Sequence, residues 1–230
     1  MSVTVIVPAY KPGEKFSRLM ESLKKQTLLP DKVIIMNTEK KFWKDSMING
    51  VKGAEVFHIT KAEFDHGKTR ALAAEMTDSE FLVYFTQDAV PADDHTLEYL
   101  LKPFRDPQIG AVYGRQLPDK DCRLIESYTR SFNYPGTSRK KTKADLPALG
   151  IKTFFCSNVC AAYRKSIYEE MGGFSFPAIF NEDMVMAGNM IKKGYAVFYA
   201  ADARVIHSHN YTWRQQFRRN FDLAVSQEKK

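Results

Sequence analysis

Val3-Thr4-Val5-Ile6-Val7-Pro8-Ala9-Tyr10 opens the chain, and its unbroken β-branched run stops at a proline. Apolar on both faces, such a run reads as a strand buried in a parallel sheet rather than as half of an exposed hairpin. Outward from it, Phe16, Leu19, Met20 and Leu23 recur at i, i+3, i+4 and i+7 and predict an amphipathic helix. Val33-Ile34-Ile35-Met36 is a second strand, Glu55 to Ile59 a third, Thr69 to Met76 a helix, and Phe81-Leu82-Val83-Tyr84-Phe85 a fourth strand. Strands and helices in alternation imply right-handed βαβ units: an α/β fold with a mostly parallel central sheet and helices on both faces. Ligands of such sheets bind at the carboxyl ends of the strands, here just after residues 7, 36, 59 and 85.

The second half is less regular. After Gly110 to Gly114 comes a polar stretch, 115–150, that carries Arg139-Lys140-Lys141-Thr142-Lys143 and reads as a partly helical, mobile excursion. Structure resumes over 157–164, with helices expected near Lys165–Met171 and Glu182–Lys193. Two strands follow, near Ala196–Tyr199 and Arg204–Ile206. A single domain over 1–230 accommodates this order, with a nucleotide-binding half over about 1–114 and an acceptor-binding, catalytic half over about 115–222. The chain breaks off at Gln227-Glu228-Lys229-Lys230 inside a helical, basic pattern, as a piece of a longer protein would.

With 230 residues, 44% of them hydrophobic and 27% charged, the composition is that of an ordinary globular protein. No apolar run approaches the ~18–20 residues of a membrane span. No cationic leader precedes the first strand, so a cytoplasmic enzyme is expected. Cys122, Cys156 and Cys160 match no zinc spacing and read as reduced and inert. The net charge of +7 points to an anionic substrate or membrane surface. Nucleic acid is disfavoured, because no recognition helix, RNP strand or zinc finger is present.

Four segments carry candidate chemistry. Thr86-Gln87-Asp88-Ala89 places a carboxylate directly after the fourth strand; alone it reads as a turn former, but a hard cation would also pair with it. His207, after Arg204-Val205-Ile206, is a credible further ligand in the donor-rich run Ile206-His207-Ser208-His209-Asn210-Tyr211. Asn181-Glu182-Asp183 opens a helix behind Gly172-Gly173-Phe174, as acidic caps or as a general base. In Phe64-Asp65-His66-Gly67-Lys68-Thr69-Arg70, Gly67 permits close backbone approach at a helix N-terminus suited to phosphate. Neither G-x-G-x-x-G nor a P-loop occurs, which argues against dinucleotide and ATPase functions.

In this order, strand-Pro8-Ala9-Tyr10, Asp65-His66-Gly67-x-x-Arg70, Thr86-Gln87-Asp88-Ala89, Gly172-Gly173-Phe174, Asn181-Glu182-Asp183 and His207 resemble the large inverting glycosyltransferase family with the GT-A fold. The resemblance spans Val3 to Asp222. It implies that Pro8, Ala9, Tyr10 and Asn37 hold the nucleotide of a sugar donor. It also implies that Asp65 and Arg70 contact base and ribose, and that Gln87 and Asp88 form the diphosphate site. Mg²⁺ or Mn²⁺ would sit on Asp88 and His207, and Asp183 would be the general base. Two departures from the family pattern stand out: Gln87 and Ala89 flank Asp88 where the D-x-D motif carries acids, and Asn37 replaces a frequent Asp.

A narrower resemblance, to bacterial rhamnosyltransferases that use dTDP-L-rhamnose, rests on five segments: 86–91, 113–118, 132–135, 152–158 and 207–211. It implies transfer to a cell-surface polysaccharide or polyprenyl-linked glycan, with UDP-hexose or UDP-GlcNAc as alternative donors. Arg115, Gln116, Asn133 and Asn158 are candidates for sugar hydroxyls, and Glu182 for an acceptor hydroxyl or a helix cap. Peripheral membrane contact is suggested by Arg214, Arg218 and Arg219 beside Trp213 and Phe217. A sugar-nucleotide pyrophosphorylase lacks support, because its Gly-rich loop is missing. A non-catalytic nucleotide- or carbohydrate-binding module is the rival class.

Overall fold

A computed structural model describes residues 1–178 and 180–228. The first half runs β1 (Val3–Tyr10), α1 (Glu14–Leu23), β2 (Lys32–Thr38), β3 (Ala54–Ile59), α2 (His66–Glu75) and β4 (Phe81–Phe85). The second half runs β5 (Val90–Pro91), α3 (Thr96–Leu101), β6 (Ile109–Leu117), α4 (Leu124–Asn133), β7 (Arg139–Lys141) and α5 (Leu146–Leu149). It ends with β8 (Cys160–Arg164), α6 (Lys165–Glu170), α7 (Glu182–Lys193), β9 (Ala196–Ile206) and α8 (Trp213–Glu228). One sheet holds the strands in the order β3-β2-β1-β4-β8-β6-β9-β5, with β7 also on β9. The four N-terminal strands are parallel throughout, as their patterning predicts. Parallel pairing returns between β6 and β9, while β8 joins the two parallel sets by antiparallel pairs to β4 and β6.

Helices cover both faces because the strands alternate. Val3, Val5 and Val7 pack with Phe16, Leu19 and Leu100 on one side. Ile6, Ile34 and Tyr84 pack with Ala73, Phe174 and Ile191 on the other.

Three expectations shift. β1 continues through Pro8 to Tyr10, pairing Pro8 with Met36 and Tyr10 with Thr38. Its pairing with β4 stops at Ile6; beyond that point β1 is an edge on one side, where a missing N–H is tolerated. The two late strands are one, β9, interrupted by a register shift opposite Gly114 and Arg115. The basic run is no loop: Arg139–Lys141 is β7, antiparallel to β9, and Lys141 is buried. No helix among the described residues is long and apolar enough to cross a membrane.

Candidate active site

Asp88 leaves the turn after β4 and meets the extended segment after β9. His207 and His209 stand two residues apart there, so both rings reach the same carboxylate. His207 Nε2 lies 3.5 Å from Asp88 Oδ1, His209 Nε2 lies 3.4 Å from Oδ2, and the two ring nitrogens are 3.1 Å apart. Ligand atoms held ~2.1 Å from one ion lie roughly 3.0–3.4 Å apart at right to tetrahedral angles, so the triangle fits a single divalent cation.

The donor set is prepared for that role. Arg130 can only donate, and its contact with Gln116 Oε1 fixes the orientation of that amide. Gln116 Nε2 then donates to Tyr134 Oη at 2.6 Å and to Ser157 Oγ at 3.0 Å. The same Oε1 must accept from His207 Nδ1 at 3.0 Å, which leaves the Nε2 lone pair facing Asp88. Burial keeps His207 below its ordinary pKa, and burial with the neighbouring His207 brings His209 down to about 4, so both are neutral imidazoles at pH 7. Burial opposes the charge on Asp88, yet His207 and His209, both protonated in the acid range where this carboxyl titrates, hold it well below the usual carboxylate range.

Asn181 precedes α7 in a left-handed conformation (φ 70°), which Asn tolerates better than most residues. The helix it opens sends its two acidic residues to different places. Glu182 turns inward to a buried ion pair, Arg70 Nη1 to Oε1 at 3.2 Å, and also accepts from Asn158 Nδ2 at 3.1 Å. Asp183 is half-buried in the cavity wall; Oδ2 accepts the Asn158 N–H at 2.9 Å and Oδ1 accepts the Met184 N–H at 2.8 Å. Burial, then the adjacent Glu182 charge, outweigh those two donors and push Asp183 up to about 7. A carboxyl with that value can take a proton near neutral pH.

One cavity of about 470 Å³ is lined by Asp88, His207, His209 and Asp183 together. Gln116, Asn133 and Asn158 also line it, but two of these amides are fully engaged within the protein. Asn158 uses its N–H, its Nδ2 and its Oδ1 on Asp183, Glu182 and Tyr163, so it positions the carboxylates. Gln116 likewise orients His207, and Asn133 sits exposed at the end of α4. Arg115 does not line this cavity; its Nε donates to the Tyr134 carbonyl at 3.1 Å. Glu182, expected to cap the helix or meet an acceptor, is the buried partner of Arg70 instead.

Of the expected nucleotide residues, Arg70 and Asp88 line this cavity, whereas Pro8, Ala9, Tyr10 and Asn37 lie at the ends of β1 and β2. Ala9 pairs with Asn37, and Tyr10 is partly exposed beside Phe42. Asn37 Oδ1 and Thr38 Oγ1 are buried without partners among the described residues. Gln87 forms a two-way amide pair with the Tyr10 backbone, accepting from its N–H at 3.0 Å and donating to its carbonyl at 2.9 Å. Asp65 caps α2 through the Lys68 N–H at 2.8 Å and holds the Ala178 N–H at 2.7 Å. Arg70 is buried under α7, its Nη1 also on the His66 carbonyl at 3.1 Å. The side chains of Gln87 and Asp65 are thus occupied by the fold itself, whereas Arg70 is held through Nη1 and its Nε has no partner among the described residues.

Two contributors escaped sequence reasoning. His209 was visible only as part of a ligand-rich run; the signal was the His-x-His spacing on an extended segment, which puts alternate side chains on one side. Arg219 was assigned to a membrane face, yet α8 turns it toward the cavity with Gln216 and Asn220. There it lies over the rings of Phe180 at 5.2 Å and Tyr211 at 5.7 Å.

Solved structures with this architecture are glycosyltransferases of the GT-A fold. Staphylococcus aureus TarS 1–349 in complex with UDP-GlcNAc aligns with a TM-score of 0.69 over 92% of this chain and 60% of that one, at 16% identity. The mannosyltransferase PcManGT from Pyrobaculum calidifontis, in complex with GDP-Man and Mn²⁺, gives 0.68 over 94% and 59%, at 17% identity. The chain spans about three fifths of these solved chains, and at such identities the likeness concerns the fold. The chain belongs to glycosyl transferase family 2, whose profile matches residues 4–172, and the expected GT-A fold holds. Among similar proteins, the O-antigen chain rhamnosyltransferase RfbN of Salmonella typhimurium is 44% identical over 226 residues, 98% of this chain and 72% of that protein. The O-antigen chain rhamnosyltransferase WbaN of Salmonella anatum is 41% identical over 226 residues, 97% and 71% respectively.

Proposed function

We propose that this glycosyltransferase moves L-rhamnose from dTDP-L-rhamnose, with inversion, onto a hydroxyl of a growing O-antigen-type glycan carried on a lipid. The observation that carries the proposal is the sharing of one cavity by the Asp88–His207–His209 cluster and Asp183; the two Salmonella rhamnosyltransferases support the choice of sugar. Pro8, Ala9, Tyr10 and Asn37 bind the nucleotide, and the unpartnered Asn37 Oδ1 and Thr38 Oγ1 are acceptors a ligand would satisfy. This divides the chain into a nucleotide half, about 1–114, and an acceptor half, about 115–222.

Asp88, His207 and His209 are the residues that would hold Mg²⁺ or Mn²⁺; bound there, the ion neutralises charge on the diphosphate leaving group. Asp183 accepts the proton of the acceptor hydroxyl as that oxygen attacks the anomeric carbon. The bond to the diphosphate oxygen breaks on the opposite face, so one displacement inverts the centre and no covalent intermediate is required. Arg219, beside the cluster, adds positive charge where the diphosphate leaves. Glu182, Arg70 and Asn158 fix the position of Asp183.

Contact with an anionic membrane surface is part of the same proposal. Trp213, Phe217 and Phe221 form an exposed stripe along α8, with Arg214 and Arg218 beside it; Arg219 is not part of that face. Donor hydrolysis measured with dTDP-L-rhamnose, UDP-glucose, UDP-galactose and UDP-GlcNAc, with and without EDTA, tests the assignment. Preference for a UDP sugar overturns the rhamnosyl donor. Binding of donor with neither hydrolysis nor transfer restores the non-catalytic module.

A further inference from the structure

Beside the catalytic cavity lies a second one of about 430 Å³, within the roughly 300–1,000 Å³ of small-ligand sites. The two share a wall made by Asn133, Phe155, Asn181 and Met184, the residue after Asp183. Its chemistry differs from that of its neighbour. Tyr113, Phe132, Phe155, Tyr199 and Ile151 supply an apolar lining; Arg139, Lys141 and Lys152 supply cations, of which Arg139 is already paired with Asp145 at 2.9 Å, and no carboxylate is among the described lining residues.

Lys141 is the unusual member. It is 3% exposed, on β7, and its ammonium donates to the carbonyls of Phe155 and Lys152 while standing 4.8 Å over the Tyr113 ring. No carboxylate is among its contacts in the described residues, and burial pushes it down to about 8. A buried charge without a counter-ion costs free energy that an arriving anion would return. Lys152, over the Phe132 ring at 4.9 Å, places a second cation at the same mouth, with the Arg139–Asp145 pair beside it.

Apolar lining continues outward from this mouth. On α4 the polar residues Glu126, Thr129 and Arg130 face the catalytic cavity, while Leu124, Tyr128 and Phe132 are each more than 60% exposed along the other side of the helix. A helix of a globular protein normally turns its apolar stripe inward; here the stripe leads from solvent to the second cavity.

We propose that the second cavity binds the carrier end of the acceptor: a phosphate or diphosphate ester of an apolar chain, its anion on Lys141 and Lys152 and its chain along Phe132 and Ile151. The attached sugar then crosses the shared wall and presents its hydroxyl to Asp183. This inference rests on the glycosyl-transfer reading of that carboxylate.

Farnesyl diphosphate, titrated calorimetrically into the whole chain below its aggregation concentration, is the probe, with EDTA present to keep its diphosphate off the metal cluster. Farnesol and inorganic pyrophosphate are the comparison arms. Saturable binding of farnesyl diphosphate at least roughly tenfold tighter than either arm is expected, since only the ester uses both the cations and the apolar anchor. Phe132→Ser and Ile151→Ser, both at exposed positions, should each weaken it severalfold without unfolding the chain, and Lys141→Gln should weaken it further. No saturable binding, equal binding of pyrophosphate, or affinity unchanged in the Phe132 and Ile151 variants overturns the proposal. Hydrolysis of dTDP-L-rhamnose by the unmodified chain is read separately, so loss of the transfer reading and loss of the carrier site give different results.

Discussion

Glu182→Gln separates the two acidic residues at the start of α7. In the native chain Arg70 and Glu182 are 5% and 6% exposed, and 3.2 Å separates Nη1 from Oε1. Glutamine keeps the shape and still accepts from Asn158, but it leaves the guanidinium charge buried without its counter-ion, next to an Arg70 Nε that already lacks a partner. Breaking one side of a buried pair costs about 3–5 kcal/mol. For a chain of this size that lowers Tm by roughly 6–20 °C, at about 2–4 °C per kcal/mol. The same change removes the like charge that helps raise Asp183, so the acid limb of kcat/KM should move below pH 7. Urea unfolding and a pH–rate profile of the same variant provide both measurements. Replacing both partners, Arg70→Met with Glu182→Leu, should recover most of the stability. A stability loss under about 1 kcal/mol, with an unmoved acid limb, refutes the buried pair and its electrostatic hold on Asp183.

Asp183→Asn removes the basicity and keeps the shape, so kcat should fall by ~10²–10⁴ with donor affinity nearly unchanged; near-native turnover at saturating substrates removes Asp183 from the role of base. Because Asp183 is raised to about 7, it is mostly protonated below that pH, and native kcat/KM should fall as the pH drops through it; a flat profile from pH 6 to 8 contradicts this. Gln116→Leu frees the His207 ring, and Mn²⁺ affinity should fall roughly 10–100-fold, while His209→Ala should cost at least as much; unchanged Mn²⁺ titrations in both variants would dismiss the three-residue cluster. Flotation with anionic liposomes should be salt-sensitive and reduced in the Trp213→Ser, Phe217→Ser double variant; no flotation at low salt rejects the membrane face.

Sequence patterning carried the nucleotide half, because buried parallel strands are written as continuous apolar runs. It placed Asp88, His207 and Asp183 at the ends of regular elements, but their selection as site candidates rested on the family resemblance. It failed at contacts made across the chain. Nothing local says that Glu182 turns to Arg70, 112 positions earlier, or that Asn158 spends every polar group on neighbours. The basic run 139–143 misled for the same reason: its charge pattern is that of a loop, and only pairing with β9 makes Arg139–Lys141 a strand. Arg219 was misplaced because helical periodicity gives the faces of α8 without saying which one meets the cavity.

The Asp65-His66-Gly67 triplet bears on how such chains are recognised. Asp65 fastens the start of α2 to the Ala178 N–H, and a Cβ on Gly67 would come within 2.2 Å of the Ser175 carbonyl oxygen. Its three letters therefore record where a helix abuts a loop. A pattern search built on them retrieves chains that share that junction, whatever sugar they handle; the information that tells one substrate from another must be sought among residues whose side chains remain unspent.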